Sequence, residues 1–369
     1  MPGARLEIQD RIGADEAHDE LDVAGPVDDR RGDGSIAGDV GASHRRVAIS
    51  SEDARSNIKQ SRIRSRPCVK SPDSRRLRSI TCWPCCGCGR KSTGAPRMLS
   101  RSYLFVPGSR PDRFDRALDS GADAVIIDLE DAVAPTDKVA ARGFVAAWAR
   151  ADREVYIRVN GRTTPWFEED ARLCSLPGIA GLVLPKAECA DDVAALLAAA
   201  KRETAVFPLI ESAKGMCNAL DIAGARHVRQ LMFGTLDFML DMQMEVDNEE
   251  LNGFRAELTK VSRAAGIDAP IDGVTTAVHD ELQLARDTTN GKRFGFFGKL
   301  CVHPKQVPKV NQCYAPSEQD IAWARRILHA GQEGNGGAVM IDGSMVDRPV
   351  ILRAQRIMSL ATDEQKTAL

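Results

Sequence analysis

From Met98 onward the chain repeats one pattern, a short apolar run, a polar turn and then an amphipathic stretch. This alternation predicts parallel βα units. Eight apolar runs qualify as strands: Tyr103–Val106, Ala124–Asp128, Val155–Val159, Gly181–Leu184, Val206–Ile210, Gln230–Phe233, Ala269–Ile271 and Lys299–Val302. The segments between them carry helix signals. Ser109 is spaced to cap a helix with Pro111 in its first turn, Phe114 and Leu118 four apart, and Gly121 as the stop. Val193, Leu196, Leu197 and Ala200 recur at i, i+3, i+4 and i+7, the spacing of a buried stripe. Eight such units predict an α/β fold, a (β/α)8 TIM barrel, and the region has close to the ~250 residues usual for one. An open doubly wound sheet is the alternative, and the strand count favours the closed barrel.

After the eighth run the pattern changes. Ser317–Gly331 reads as a helix, Val339–Val346 as a hairpin turning at Asp342-Gly343, and Val350–Ala361 as a last helix. A C-terminal helix-hairpin-helix arm is therefore expected, longer than a barrel needs for closure. The expected organisation is an N-terminal segment over 1–97, a barrel over 98–316 and the arm over 317–369.

The N-terminal segment lacks any sustained period. Gly, Asp, Arg and Ser dominate it, with runs such as Asp28-Asp29-Arg30-Arg31 and the Arg-rich stretch Arg62–Arg66. Such composition cannot bury enough apolar surface to offset the entropy of ordering, so a disordered extension is expected. Met98 reads as a natural start. Cys82, Cys85, Cys86 and Cys88 suggest a zinc knuckle, but no second ligand pair follows at a folding distance, and no zinc site is expected.

Bulk composition mainly excludes. With 43% hydrophobic residues the chain can bury a large core. A formal net charge of -2 gives no electrostatic case for nucleic acid or an anionic membrane as the main partner. No apolar run approaches the ~18 residues of a membrane span, and no signal-peptide core is present. Glu16, Asp19, Glu20 and Asp22 argue against an acid-poor transit peptide. The expected compartment is the cytoplasm, where Cys174, Cys189, Cys217, Cys301 and Cys313 would behave as small buried hydrophobes rather than disulfides.

Barrel enzymes carry their chemistry where strands end. Just past the expected strands stand Asp128 to Asp131, Arg158 with Asn160, Lys186, Glu211, Asp237, Asp272 and His303. Glu211 and Asp237 follow neighbouring strands about one βα repeat apart. With no His or Cys beside them, two carboxylates suit a hard cation such as Mg2+, which completes its shell with substrate and water. Asp241 is close enough to compete for that assignment, and Gly234-Thr235 leaves room for a ligand. Arg158, ending its strand, is placed to neutralise a carboxylate or an enolate oxygen. The alternative is an ion pair with Glu130 and Asp131. The Phe105–Arg110 loop enters a helix N-terminus, where a phosphate can sit. No GxGxxG follows a strand, and no Walker loop is present. His303, before Pro304, reads as a loop-fixing residue.

The quoted segments RSYLFVPGSRPDRF, GADAVIIDLEDAVAP, VYIRVNG, LVLPKAE, PLIESAKGM, FGTLDF, GKLCVHPKQV and DGSMVDRPV resemble the HpcH/HpaI aldolase and citrate lyase β-subunit-like lyases over Arg101 to about Ala361. The resemblance implies a homotrimeric barrel with Mg2+ (or Mn2+) held by Glu211 and Asp237. It implies Arg158 on the substrate's enolate or carboxylate, and Phe105 and Arg110 along coenzyme A. Glu130, Asp131 and Lys186 complete the expected substrate- and CoA-binding set. Asp347, on the arm, is implied to reach a neighbouring subunit's site. Leu236 before Asp237 departs from the many relatives that have an acid or Ala there. The implied activity is cleavage or formation of a short β-hydroxyacyl-CoA such as citramalyl-CoA, giving acetyl-CoA and a 2-keto acid. Alternatives are malyl-CoA or citryl-CoA, a citrate lyase β subunit working on an acyl-carrier partner, and a CoA-independent class II aldolase. A non-enzymatic scaffold is the remaining competitor.

Overall fold

A computed structural model describes residues 99–245, 249–333, 339–341 and 344–361. The expectations for residues 1–97, the cysteine cluster and the Asp342-Gly343 turn lie outside the described residues. Seven strands form one parallel sheet: β1 (Ser102–Pro107), β2 (Ala124–Asp128), β3 (Val155–Arg158), β4 (Ile179–Leu184), β5 (Ala205–Ile210), β6 (Met232–Phe233) and β7 (Lys299–Cys301), in the order β6-β5-β4-β3-β2-β1-β7. The pleat sends alternate side chains to opposite faces. Tyr103, Ile126, Tyr156, Val183, Phe207, Leu209 and Leu300 form one buried cluster. Leu104, Val125, Ile127, Ile157, Leu182, Val206 and Ile210 join a second, larger one with the helices. Burial on both faces explains why these strands read as continuous apolar runs.

The helices between the strands are α1 (Phe114–Leu118), α2 (Lys138–Trp148), α3 (Phe167–Arg172), α4 (Ala190–Ala200), α5 (Ala213–Cys217), α6 (Ala219–Gly224), α7 (Thr235–Asp241), α8 (Asn252–Ala265), α9 (Glu281–Arg293) and α10 (Val307–Tyr314). The α4 stripe is as expected, with Val193, Leu196 and Ala200 buried and Leu197 packed beside them. The Ser109 cap is not found. The Arg110 N–H donates to the Pro107 carbonyl at 3.0 Å, which puts Ser109 inside a turn and makes Arg110 the residue before the Pro111–Arg113 3-10 turn.

The expected strand Ala269–Ile271 is a correction. It survives as isolated parallel bridges, Met232 with Ile271 and Asp272 with Lys299. Pro270 has no N–H to give to a ladder. Its carbonyl still accepts from the Phe297 N–H at 2.9 Å, and the Ile271 N–H donates to Leu231 at 2.9 Å. β6 is likewise shorter than expected. At Gln230 a side chain replaces part of the ladder: its Nε2 donates to the Ala269 carbonyl at 2.8 Å, and its Oε1 accepts from the Tyr103 hydroxyl at 2.9 Å.

Beyond the sheet come α11 (Glu318–Glu333), the antiparallel pair β8 (Val339–Ile341) and β9 (Ser344–Val346), and α12 (Arg348–Leu360). They share a small core of Ala324, Ile327, Val346 and Ala354. Of the five later cysteines, all free, Cys174 and Cys301 are buried as expected, while Cys217 is exposed. Among the described residues no helix is long and apolar enough to cross a membrane.

Candidate active site

The parallel register sets Asp128 of β2 directly beside Arg158 of β3, so both side chains emerge together where the strands end. Arg158 Nε donates to Asp128 Oδ1 at 2.7 Å and Nη2 to Oδ2 at 2.6 Å, a two-point grip. Asp128 is itself held, accepting the Glu130 N–H at 2.9 Å and the Ala132 N–H at 3.1 Å. Arg158 Nη1 reaches Glu130 at 3.2 Å and Asp131 at 3.7 Å. Its guanidinium lies 4.8 Å from the centre of the Phe105 ring. Burial acts to discharge it, but Asp128, Glu130 and Asp131 outweigh burial and keep its pKa above the usual arginine range. The ion pair foreseen as the alternative for Arg158 is therefore present, and Asp128 is its main member.

Glu211 follows β5 and is buried. Its Oε1 accepts the backbone N–H of Lys186 at 2.6 Å. Lys186 takes a left-handed backbone (φ 51) to present that N–H, a conformation costly for a residue with a Cβ. Its Nζ lies 3.3 Å from Glu130 Oε1. On the other side Gly234 packs flat against Glu211: a Cβ there would lie 2.6 Å from Glu211 Oε2. Burial, then the nearby charges of Glu130 and Asp237, push the Glu211 carboxyl up to about 8. Burial also raises Glu130, to about 7, against the pull of Arg158.

Asp128, Arg158 and Glu211 border a cavity of about 410 Å3, within the range of small-molecule sites, whereas Glu130 and Lys186 stand behind them and are not among its lining residues. Asp128, Asp131, Arg158, Glu211, Thr235 and Asp237 supply its polar side, and Phe105, Leu209, Val274 and Leu300 an apolar floor. The residues fit a hard divalent cation. Glu211 and Asp237 line the same cavity as oxygen donors, and the Asp237 charge acts to raise Glu211, a repulsion a bound cation would relieve. Among the described residues no three His, Cys, Asp or Glu gather as a ligand cluster. Two carboxylates leave most of an octahedral shell to substrate and water, the pattern typical of Mg2+.

Other candidates are elsewhere. Arg110 is not among the lining residues; it is exposed and pairs with Asp112 at 2.7 Å. Asp241 accepts the Ala213 N–H at 2.7 Å and is not a lining residue. Asp272 is fully buried beside Arg255, at 3.1 Å. His303 Nδ1 accepts the Lys305 N–H at 3.1 Å, the loop-fixing role expected of it. Asp347 caps α12 through the Val350 N–H at 3.4 Å and does not border this cavity. Sequence reasoning missed two residues. One is Asp128 as the grip on Arg158, which strand pairing alone reveals. The other is Lys138 beneath the β2–α2 loop, signalled only by a lysine at a helix start, where the dipole disfavours it.

The model of the HpcH/HpaI aldolase/citrate lyase family matches residues 101–304, and the chain belongs to that family of carbon–carbon lyases and aldolases. Citrate lyase subunit beta of Leuconostoc mesenteroides subsp. cremoris is 36% identical over 283 residues, 71% of this chain and 93% of its own length. A (3S)-malyl-CoA thioesterase of Cereibacter sphaeroides (strain ATCC 17025) is 31% identical over 272 residues, 71% of this chain and 94% of its own. Among solved structures, protein CitE of Mycobacterium tuberculosis in complex with magnesium, acetoacetate and coenzyme A superposes with a TM-score of 0.64 at 30% identity, covering 70% of this chain and 97% of its own.

Proposed function

We propose that the chain is a Mg2+-dependent lyase of short β-hydroxyacyl-CoA thioesters, with citramalyl-CoA as the favoured substrate and acetyl-CoA and pyruvate as products. The observation that carries this reading is one cavity lined by a charged arginine gripped by Asp128 and by two carboxylates fit for a hard cation. The magnesium and coenzyme A named for the M. tuberculosis neighbour support it.

When bound, Mg2+ supplies Lewis acidity to the substrate's hydroxyl and carboxylate. The chain's own residues do the rest. Glu211 and Asp237 hold the cation, and the N–H of Lys186 keeps Glu211 aimed. Asp128 takes two of Arg158's five N–H groups. The Nη1 edge, which also meets Glu130 and Asp131, stabilises the enolate oxygen that forms as the carbon–carbon bond breaks, a contact worth about 3–4 kcal/mol. Phe105, Leu209 and Leu300 exclude water from the acyl end. In the cleavage direction the substrate hydroxyl proton leaves to water as the ketone forms, and Asp347 gives a proton to the enolate carbon; in condensation Asp347 removes one from the methyl group and the new alkoxide takes one from water. In this reading Asp347 comes from a neighbouring copy within a homotrimer, since it does not border its own chain's cavity. The sheet closes as an eight-staved barrel over 98–316, with the Ala269–Thr275 segment as the seventh stave, and 317–369 is the arm. Mn2+ substitutes for Mg2+, and Arg110 meets the CoA phosphates only after leaving Asp112. The protein works in the cytoplasm.

A coupled assay over citramalyl-, malyl- and citryl-CoA, with and without Mg2+, tests the reading by detecting pyruvate, glyoxylate or oxaloacetate. Pyruvate from citramalyl-CoA, dependent on Mg2+, is expected. A different keto acid as main product redirects the substrate assignment to malyl- or citryl-CoA. Free CoA without acetyl-CoA marks hydrolysis, the activity in the Cereibacter relatives' name. Turnover of free hydroxy-keto acids alone marks a CoA-independent aldolase, and activity only with an acyl-carrier protein marks a citrate lyase subunit.

A further inference from the structure

Lys138 opens α2, yet it is only 6% exposed and makes no ion pair among the described residues. Burial and the helix dipole both disfavour an ammonium there, and burial lowers its pKa against the pull of Asp128, Glu130, Asp170 and Asp131. Its Nζ donates to the carbonyls of Leu129 at 2.8 Å and Glu130 at 2.7 Å, with the Trp166 ring centre 5.3 Å away. The Leu129 carbonyl takes a second donor, Asn160 Nδ2, at 2.9 Å. Asn160 is fixed in turn by Asp170 at 2.6 Å, and Asp170 by Arg142 at 3.0 Å. Two side chains from different elements thus converge on one turn.

That turn does three things for Arg158. Its Glu130 and Ala132 N–H groups hold the Asp128 carboxylate, its Glu130 and Asp131 side chains meet Nη1, and its Leu129 N–H donates to the Arg158 carbonyl at 2.9 Å. We propose that Lys138 is a positioning residue, acting through the Leu129 and Glu130 carbonyls to hold the turn that aims Arg158 into the cavity. It never touches substrate. Glu211 and Asp237 come from other loops and make no contact with Lys138; the turn reaches Glu211 only through Glu130 and Lys186, so cation and keto-acid binding should depend on it far less than kcat does.

The kinetic arm of the test rests on the lyase reading; the exchange arm does not. In Lys138→Met, kcat should fall about 10–100-fold, as for residues that orient a reacting group, with KM changing less than about threefold by the same reasoning. Lys138→Arg, which keeps charge and donors, should recover part of that loss. Hydrogen exchange should quicken in a peptide covering 129–133 and stay unchanged over 206–211. Calorimetric affinity for pyruvate with Mg2+ should stay near wild type. Unchanged kcat, or kcat and pyruvate affinity lost together, overturns the proposal, as does unaltered exchange over 129–133. If Lys138→Met does not fold, Asn160→Ser, which removes the second donor to Leu129, must show the same split at smaller size, or the proposal fails. Should wild-type protein cleave no thioester, the lyase reading falls, and exchange over 129–133 still decides whether Lys138 holds the turn.

Discussion

Asp128 and Arg158 face each other across the β2–β3 ladder with both carboxylate oxygens engaged, at 2.7 and 2.6 Å. Only a planar fork can make two parallel N–H···O bonds to one carboxylate and keep further donors free. Arg158→Lys keeps the charge and loses the fork. Its kcat/KM in the thioester assay is expected to fall about 10^2–10^3-fold, with pyruvate–Mg2+ binding retained in part. Activity within about threefold of wild type, far less than a lost transition-state donor costs, would remove Arg158 from the chemistry.

Gly234 is required by what lies against it. A Cβ would meet Glu211 Oε2 at 2.6 Å and Glu211 Cβ at 2.7 Å. Gly234→Ala must push the carboxylate off its Lys186 hydrogen bond or shift the start of α7. The expected cost is about 1–3 kcal/mol of stability, as for overpacking, together with weaker Mg2+ binding by calorimetry. Unaltered Mg2+ affinity would show that Glu211 tolerates displacement and does not hold the ion.

The pH dependence has a definite sign. Glu211 and Glu130 titrate near 8 and 7 in the folded chain against 4.5 as the unperturbed value. The folded state therefore keeps protons that the unfolded chain has lost. Their contribution to stability is full below about pH 4.5 and is lost as pH rises through about 7 and 8. Metal-free protein should melt lower at about pH 8.5 than at about pH 6, and Mg2+ with pyruvate should offset the drop. Glu211→Gln should flatten the metal-free slope. If the slope in that variant stays as in wild type, Glu211 is not its source.

Asp347 can be tested by mixing. Asp237→Ala and Asp347→Ala should each lack carbon–carbon chemistry, and Asp347→Ala should keep its Mg2+ affinity while losing about 1 kcal/mol through the α12 cap. If arms serve neighbouring copies, co-refolded mixtures of the two inactive variants regain part of the activity, because some sites combine an intact Asp237 with an intact Asp347. Persistent inactivity of the mixtures would place Asp347 in service of its own chain or of none.

Much of this was legible in the residues. Strands buried on both faces announce themselves as apolar runs, so β1 to β5 fall where expected. Carboxylates at strand ends marked Glu211 and Asp237, and both border the cavity. Other features depend on contacts far apart in the chain. The Asp128 grip needs the β2–β3 register, and Lys138 resembles a surface lysine until the loop above it is known. Arg110, expected along coenzyme A, is engaged by Asp112, two positions on, a local pairing that its strand-end position does not announce. The strand at Ala269–Ile271 failed because Pro270 lacks a donor and Gln230 takes over part of the pairing.

The segment from Ala269 to Thr275 carries Val274 to the cavity, and it is tied on both sides. The Ile271 N–H donates to Leu231 and the Ile271 carbonyl accepts from Phe233, while the Asp272 N–H donates to Gly298 and its carbonyl accepts from Leu300, each at 2.9 Å. A wall pinned by both neighbours passes any change in its length on to β6 and β7. Room for a bulkier acyl group is therefore better made by trimming the Val274 side chain than by respacing the backbone that carries it.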